Sequence, residues 1–346
     1  MKKIALGSGV LLLLLLVWQH RLVWYGISQA RGQLRIVWNA RPIEEVMADP
    51  AVADSLKQKI ALVQRVRKFA IDSLGVNDSD SYRTLYDQQG KPVLWVVTAS
   101  EPFSLVDKKW SFPIIGSFSY KGFFEYNQAV ALQNELIEQG YDTGIRTVSA
   151  WSTLGFLDDP ILSGLLFRTE GQVANTIIHE LTHATIFVKD DLKFNENLAS
   201  FVGDKGAEAF LAHAYGPASS TYQAYDDYRS DRRKYSEHML RGTQQLDSLY
   251  KKLAATSDSV AKVNQKEQLI ARILRRADTL SLRSSNYQRL LRRLQRSDTL
   301  PNNTFFSAFV RYQGESDSLE QVFQTRFHGN VRNYLLYLKH QYGDVL

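Results

Sequence analysis

Apolar residues recur every three or four positions along much of the chain, which is the spacing of one buried helix face. This spacing predicts a mostly helical segment over residues 27–90, with its clearest stretch at 56–74. It also predicts helices at 125–139, 171–188 and 195–215. The chain is therefore expected to be predominantly helical.

Shorter apolar runs interrupt the predicted helices. Residues 93–98 are rich in β-branched side chains and precede a proline, which predicts a strand. A second strand is expected at 143–152. The apolar segment 110–118 contains Pro113 and Gly116, which favour turns, so we expect it to be turn-rich. Together these elements predict an α+β fold in which helices outweigh a small mixed sheet.

Residues 226–298 are rich in Arg, Lys, Gln and Ser, and their leucines follow helical spacing. We therefore expect two or three long helices that form a hairpin insert, projecting from the main domain or packing along it. The charged face of this insert carries seven arginines: Arg272, Arg275, Arg276, Arg289, Arg292, Arg293 and Arg296. Such a face is either solvated or in contact with anionic lipid or a substrate. No aromatic residues alternate with the arginines, so nucleic-acid binding is not expected.

Composition narrows the possible chemistry. The chain has 346 residues, 44% of them hydrophobic, and its net charge of +6 is attributed mainly to the arginine-rich insert. It has no cysteine, which excludes disulfides, a thiol nucleophile and cysteine-rich zinc sites. Any bound metal must therefore be held by histidines and carboxylates.

The N-terminal segment is typical of an exported protein. Lys2 and Lys3 precede residues 4–18, which are uncharged and too few for a span of roughly 20 residues. Residues 22–25 are amphipathic and could extend this segment to the membrane interface. We expect 1–25 to be an uncleaved anchor that leaves the rest of the chain outside the cytoplasm, in the periplasm; a cleaved signal peptide is the alternative.

The strongest chemical signal is a metal motif on the helix predicted at 171–188. His179 and His183 are separated by one helical turn, so both rings can reach one zinc ion. Glu180 lies beside the first histidine, where it can act as general base toward a metal-activated water. The best third ligand is Glu196, which follows His183 by thirteen residues and begins the next predicted helix. Asp204 and Glu208 are the alternatives.

This His-His-Glu set resembles the gluzincin class of metallopeptidases, in which a following helix supplies the carboxylate ligand. Many members place an aspartate four residues after that glutamate, where it orients a histidine ring. Here that position is Ser200. Asp204 or a backbone carbonyl must therefore hold the ring.

Several segments are similar to the bacterial putative aminopeptidase family. They are residues 32–34, 41–43, 112–116, 120–124, 148–156, 158–160, 195–196 and 301–303, with Gly203, Glu208 and Tyr312. The resemblance implies a gluzincin-like zinc peptidase, with residues 26–225 and 299–346 as the catalytic domain and 226–298 as the insert. Family members often begin as lipoproteins, but this chain lacks the required cysteine.

The resemblance and the peptidase chemistry suggest further roles. Tyr312 matches a family position and is expected to stabilise the oxyanion. The backbone of Ser149 and Ala150 is expected to pair with an extended peptide substrate. An aminopeptidase also needs a carboxylate for the free amine; the candidates are Glu125, Asp158 and Asp159.

Two other functions stay open. A zinc endopeptidase of the cell envelope would have a cleft open on both sides of the metal. A non-catalytic scaffold would bind a partner through the helices of 226–298. Glu180 favours an enzyme, because a structural zinc site needs no general base.

Overall fold

The computed structural model describes residues 20–112, 116–148, 158–189, 191–255, 257–297, 299–311 and 316–342. These residues form a predominantly helical α+β fold, as the sequence predicts. The helices are α1 (His20–Trp38), α2 (Ile43–Ala48), α3 (Asp54–Phe69), α4 (Tyr126–Glu138), α5 (Glu170–His183), α6 (Leu192–Tyr215), α7 (Ser220–Leu253), α8 (Ser259–Arg276), α9 (Ser285–Gln295), α10 (Asn303–Arg311), α11 (Ser316–Phe327) and α12 (Val331–Tyr342). In the described part of the chain, none of these helices has both the length and the apolar composition needed to cross a bilayer.

The strands form three small sheets within the described residues, where one mixed sheet was expected. They are β1 (Arg41–Pro42), β2 (Thr84–Tyr86), β3 (Trp95–Ser100), β4 (Trp110–Phe112), β5 (Gly116–Phe118), β6 (Lys121–Phe123), β7 (Asp142–Thr147) and β8 (Ile161–Leu162). β3 lies between β6 and β7 and pairs antiparallel with both. β2 pairs antiparallel with β1 and parallel with β8, so that sheet is mixed.

The expectation of a turn-rich segment at 110–118 fails for residues 110–112 and 116–118, which form the antiparallel pair β4 and β5, while 113–115 lie outside the described residues. Phe112 and Phe118 contact each other across the pair, with ring centroids 6.1 Å apart. The hydroxyls of Ser111 and Ser117 are hydrogen-bonded at 2.7 Å. Such cross-strand pairs stabilise a short ribbon even when it contains turn-forming residues. The prediction of helix over most of 27–90 also missed the short strand β2.

The largest core lies where α5 packs between α3 and α6. α5 contributes Val173, Ala174, Ile177, Ile178 and Leu181, all of them fully buried. α3 supplies Ile60, Val63 and Val66 to the same core. The C-terminal helix α12 adds Tyr334, Leu335 and Leu338, so the chain returns to this core after the long helices, as expected. This core holds α5 rigidly, and α5 carries both histidines of the metal motif.

A second core joins α7, α8 and α10. Met239 and Leu246 of α7 pack with Ile270 and Ile273 of α8 and with Phe306 of α10. The predicted long helices are therefore present, with α9 as the third. They pack along the rest of the fold instead of projecting from it. The seven arginines named above are all exposed on α8, on α9 and at Arg296, just after α9.

The start of α10 connects this helical region to the sheet. Asn303 is fully buried, and its amide donates to the carbonyls of Glu101, Pro102 and Ser104. Its side-chain oxygen accepts a 2.6 Å hydrogen bond from the hydroxyl of Tyr250 on α7. One side chain thus connects α7, α10 and the loop that follows β3.

Replacing Asn303 with alanine should lower the free energy of unfolding by about 3 kcal/mol, because several buried polar groups would lose their partners. Urea denaturation of the purified protein measures this change. Asn39→Ala is the matched control: that exposed amide donates only to the carbonyl of Arg35 one helical turn earlier. A loss for Asn303→Ala no larger than the control's would contradict the proposed connecting role.

Candidate metal centre

The first two site residues depend on how α5 begins and ends. A capping box of Thr169 and Gln172 starts the helix, and the Gln172 side chain accepts from the Thr169 N–H at 3.3 Å. The sequence predicts continuation to Val188, but α5 ends at His183. The hydroxyl of Thr185 donates to the carbonyl of Leu181 and accepts from the Asn77 N–H, which competes with further helical hydrogen bonds.

The turn between α5 and α6 fixes the third site residue. Asn195 is buried and bonds Val188 twice: its side-chain oxygen accepts from the Val188 N–H, and its amide donates to the Val188 carbonyl, both at 2.8 Å. Asp191 caps α6 by accepting from the Phe194 N–H. α6 therefore begins at Leu192, three residues before the predicted start. Its first turns direct Glu196 toward the histidines of α5.

The structure brings His179, His183 and Glu196 together. The Nε2 atoms of His179 and His183 are 3.2 Å apart. Oε2 of Glu196 lies 3.6 Å from Nε2 of His179, and its Oε1 lies 3.5 Å from Nε2 of His183. Two imidazole nitrogens and one carboxylate thus converge on one point, an arrangement that can hold a metal ion.

The electrostatics of the three groups suit a cation. Burial, aided by the neighbouring His179, lowers the pKa of His183 to about 4, so this ring is neutral at neutral pH. Burial alone would lower the pKa of His179, but the carboxylates of Glu196, Glu180 and Asp204 raise it. Burial alone would raise the pKa of Glu196, but the neighbouring rings of His179 and His183 lower it. A neutral His183 and an ionised Glu196 are the states in which these groups bind metals.

Close packing of α5 and α6 sets these distances. A Cβ added at Gly203 of α6 would lie 2.9 Å from the carbonyl oxygen of Asn175 and 3.1 Å from Cβ of His179. At Gly206, one turn further along, an added Cβ would lie 2.8 Å from the Ile178 side chain. The two helices therefore approach closely only because α6 has glycines at these positions.

The alternative third ligands point elsewhere. Asp204 accepts from the Asn175 amide at 2.7 Å and is ion-paired with Arg232 of α7. Glu208 is ion-paired with Arg229 and accepts from the Tyr222 hydroxyl. Both carboxylates thus join α6 to α7, and Asp204 acts on His179 only through its charge.

In a gluzincin, an aspartate would hold the ring of a metal-binding histidine by a hydrogen bond. This chain holds its histidine differently. Nδ1 of His183 is buried and, among the described residues, has no hydrogen-bond partner. A metal-binding histidine usually donates this second nitrogen to a carboxylate or carbonyl. His183 is instead held by its burial on α5. The predicted support from Asp204 does not reach this ring by a hydrogen bond.

Tyr82 is a neighbour of the site that the sequence did not indicate. Burial, together with the carboxylates of Glu180 and Asp159, raises its pKa well above the usual value. Its backbone has a positive φ of 65°, and its N–H donates to the Asp159 carbonyl at 2.7 Å. Tyr82 therefore lies within electrostatic reach of both the general-base candidate Glu180 and the buried Asp159. The amine candidate Glu125 is instead ion-paired with Arg35 at the surface.

The remaining predicted site residues, Ser149, Ala150 and Tyr312, lie outside the described residues. Their expected roles in binding the peptide and stabilising the oxyanion stay predictions. β7, the strand that leads toward Ser149, pairs with β3 on one side only in the described part of the chain.

Comparison with known proteins gives one match. The profile of a family described as "Putative aminopeptidase" matches residues 24–340, which is most of the chain. No curated protein and no solved structure matches.

Replacing Gly203 with alanine should weaken the binding of a divalent metal ion, because the new methyl group would push α6 away from His179. The same strain should lower stability by about 1–3 kcal/mol. Metal titration followed by calorimetry measures the affinity. Gly26→Ala is the control, since no atom lies within 4 Å of an added Cβ there. Equal metal affinity in the two variants would show that the helix spacing does not control the site.

Proposed function

Because the chain belongs to the family described as putative aminopeptidase, we propose that it is a zinc-dependent peptidase with a gluzincin-like site. His179, His183 and Glu196 would hold the metal. The observation that carries the proposal is the convergence of their ligand atoms: the two imidazole nitrogens are 3.2 Å apart, and each lies 3.5–3.6 Å from one of the two oxygens of Glu196. In a tetrahedral zinc site with bonds of about 2.0–2.1 Å, ligand atoms are about 3.4 Å apart. The residues therefore fit zinc.

The neighbouring residues favour a hydrolytic zinc site over an iron oxygenase site, which the same ligand set could also form. Two histidines and one carboxylate also hold ferrous iron in oxygenases. Here, however, Glu180 directly follows His179, and its charge raises the pKa of the His179 ring, so its carboxylate lies near the ligands. A base beside the metal serves hydrolysis, and three protein ligands leave one tetrahedral position for water. Bound zinc would supply a Lewis acid that polarises the carbonyl and lowers the pKa of that water.

The chain's own residues would move the proton. Glu180 accepts it from the attacking water and passes it to the nitrogen of the leaving amine, so the carboxylate is regenerated in each cycle. Tyr312 would donate a hydrogen bond to the oxyanion. The backbone of Ser149 and Ala150, which follow the edge strand β7, would pair with the peptide substrate.

An exopeptidase needs a group for the substrate's free amine. Asp159 is the favoured candidate, because it is buried and its charge, like that of Glu180, acts on Tyr82. A carboxylate near the general base could neutralise a free ammonium group at the end of a bound peptide. The substrates would be exported or envelope peptides, since the apolar segment 4–18 favours a membrane-anchored domain outside the cytoplasm.

Metal content tests the proposed ligands directly. The purified wild-type protein should bind one zinc ion per chain, and His179→Ala should bind almost none, because two ligands hold zinc weakly. Elemental analysis by mass spectrometry measures the ratio. His340→Ala, an exposed histidine on α12, is the matched control and should keep its zinc. A wild-type protein that takes up no zinc would favour the scaffold function.

Replacing Glu180 with glutamine should leave zinc bound and lower turnover roughly 10²–10⁴-fold, because the site would lose its general base. The assay compares matched peptides with free and with acetylated N-termini. Cleavage of the free peptides alone identifies an aminopeptidase, and cleavage of both an endopeptidase. Unchanged turnover in the glutamine variant at full zinc occupancy would remove Glu180 from the mechanism.

A further inference from the structure

The outward face of α1 carries large apolar side chains that the fold does not cover. Trp24 is 68% exposed, Ile27 53%, Leu34 36% and Trp38 75%. At about 100° per residue, these four positions and Arg31 fall within one sector of about 80°. The outward stripe, as we call Trp24, Ile27, Arg31, Leu34 and Trp38, therefore follows the full length of one helix face. Contiguous exposed apolar surface of this kind marks an interaction site.

The opposite face of α1 is fixed to the protein, so the helix cannot roll to bury its stripe. Gly32 lies against the ring of Phe124, where an added Cβ would be 2.1 Å from the nearest ring atom. The hydroxyl of Tyr25 and the amide of Gln29 both donate to the carbonyl of Gly122, at 3.0 and 3.2 Å. Ile36, on the same inner face, is fully buried.

The segment that contains the stripe carries only positive side chains of its own. Residues 1–43 contain six lysines and arginines and no aspartate or glutamate. Arg31 lies within the stripe and is exposed. Arg35, at its margin, pairs with Glu125 at 3.3 Å. A surface that is apolar and cationic complements the anionic headgroups and upper acyl chains of a bilayer.

We propose that the outward stripe lies in the interface of an anionic membrane. Tryptophan is enriched at this depth of the bilayer, and here it stands near both ends of the stripe. Arg31 would reach the lipid phosphates, while Ile27 and Leu34 enter the acyl boundary. Continuity with the chain favours lipid over a protein partner: the uncharged segment 4–18 ends six residues before Trp24 and needs an apolar environment of its own. This proposal does not depend on the peptidase assignment.

Spin labelling of the full chain tests the proposal, since the natural sequence has no cysteine to interfere. The single variants Trp24→Cys, Ile27→Cys and Trp38→Cys are labelled with a nitroxide and reconstituted into vesicles of phosphatidylethanolamine and phosphatidylglycerol. Phe167→Cys and Val260→Cys are the controls, at positions 85% and 68% exposed on other elements. We expect the stripe labels to collide more often with oxygen, and less often with a water-soluble nickel complex, than the labels at both control positions do.

Three results would overturn the proposal. If the labels on the stripe are as accessible to the nickel complex as the control labels are, the face lies in water. Labels shielded from both relaxing agents would indicate a protein partner, and line broadening by spin–spin coupling would indicate a second copy of the chain. As a further test, Arg31→Glu should move the Ile27→Cys label toward water, whereas Arg272→Glu, an exposed arginine of α8, should not. An unmoved label in Arg31→Glu would refute contact with the headgroups.

Discussion

α5 and α6 approach closely enough to share three potential metal ligands only because Gly203 and Gly206 have no side chains. The distances among His179, His183 and Glu196 follow from that approach, since two of these residues belong to one helix and the third to the other. The helix pair is in turn fixed from both sides. The apolar face of α5 packs against α3, and the double hydrogen bond between Asn195 and Val188 holds the connecting turn. A change that separates the helices would therefore alter the site before it altered the rest of the fold.

α7 stabilises the pair of helices α5 and α6 through ion pairs. Arg232 and Arg229 bind Asp204 and Glu208, which lie one turn apart on the side of α6 that faces α7. Asp204 also binds the Asn175 amide, and Asn175 lies one turn before His179 on α5. Removing one partner of such a partly buried pair leaves a charge without compensation, which is costly. The long helices after α6 are thus connected to the metal ligands through side chains as well as through the second core.

The sequence reveals site geometry that depends on neighbouring residues, but it does not reveal contacts between residues far apart in the chain. The convergence of His179 and His183 could be predicted because it depends only on one helical turn. Glu196 required an estimate of the turn length. The predicted end of α5 and the predicted start of α6 were wrong, because the hydroxyl of Thr185 and the cap at Asp191 decide them. Neither the contact of Asp204 with Arg232 nor the position of Tyr82 near Glu180 has a local signal. Both depend on residues that are far apart in the chain.

The sheet β6-β3-β7 lies between the helix proposed to contact the membrane, α1, and the strand that leads toward the proposed peptide-binding residues, β7. In the described part of the chain, α1 binds the carbonyl of Gly122 in β6 at one edge of this sheet, while β7 forms the other edge. An α1 that rests on a membrane would therefore leave β7 on the far side of the central strand β3. A peptide can add to a sheet only at a strand whose outer hydrogen-bonding groups are free. Within the described residues, the face proposed to contact lipid and the strand β7 thus lie on opposite sides of β3, so lipid contact at α1 does not cover β7.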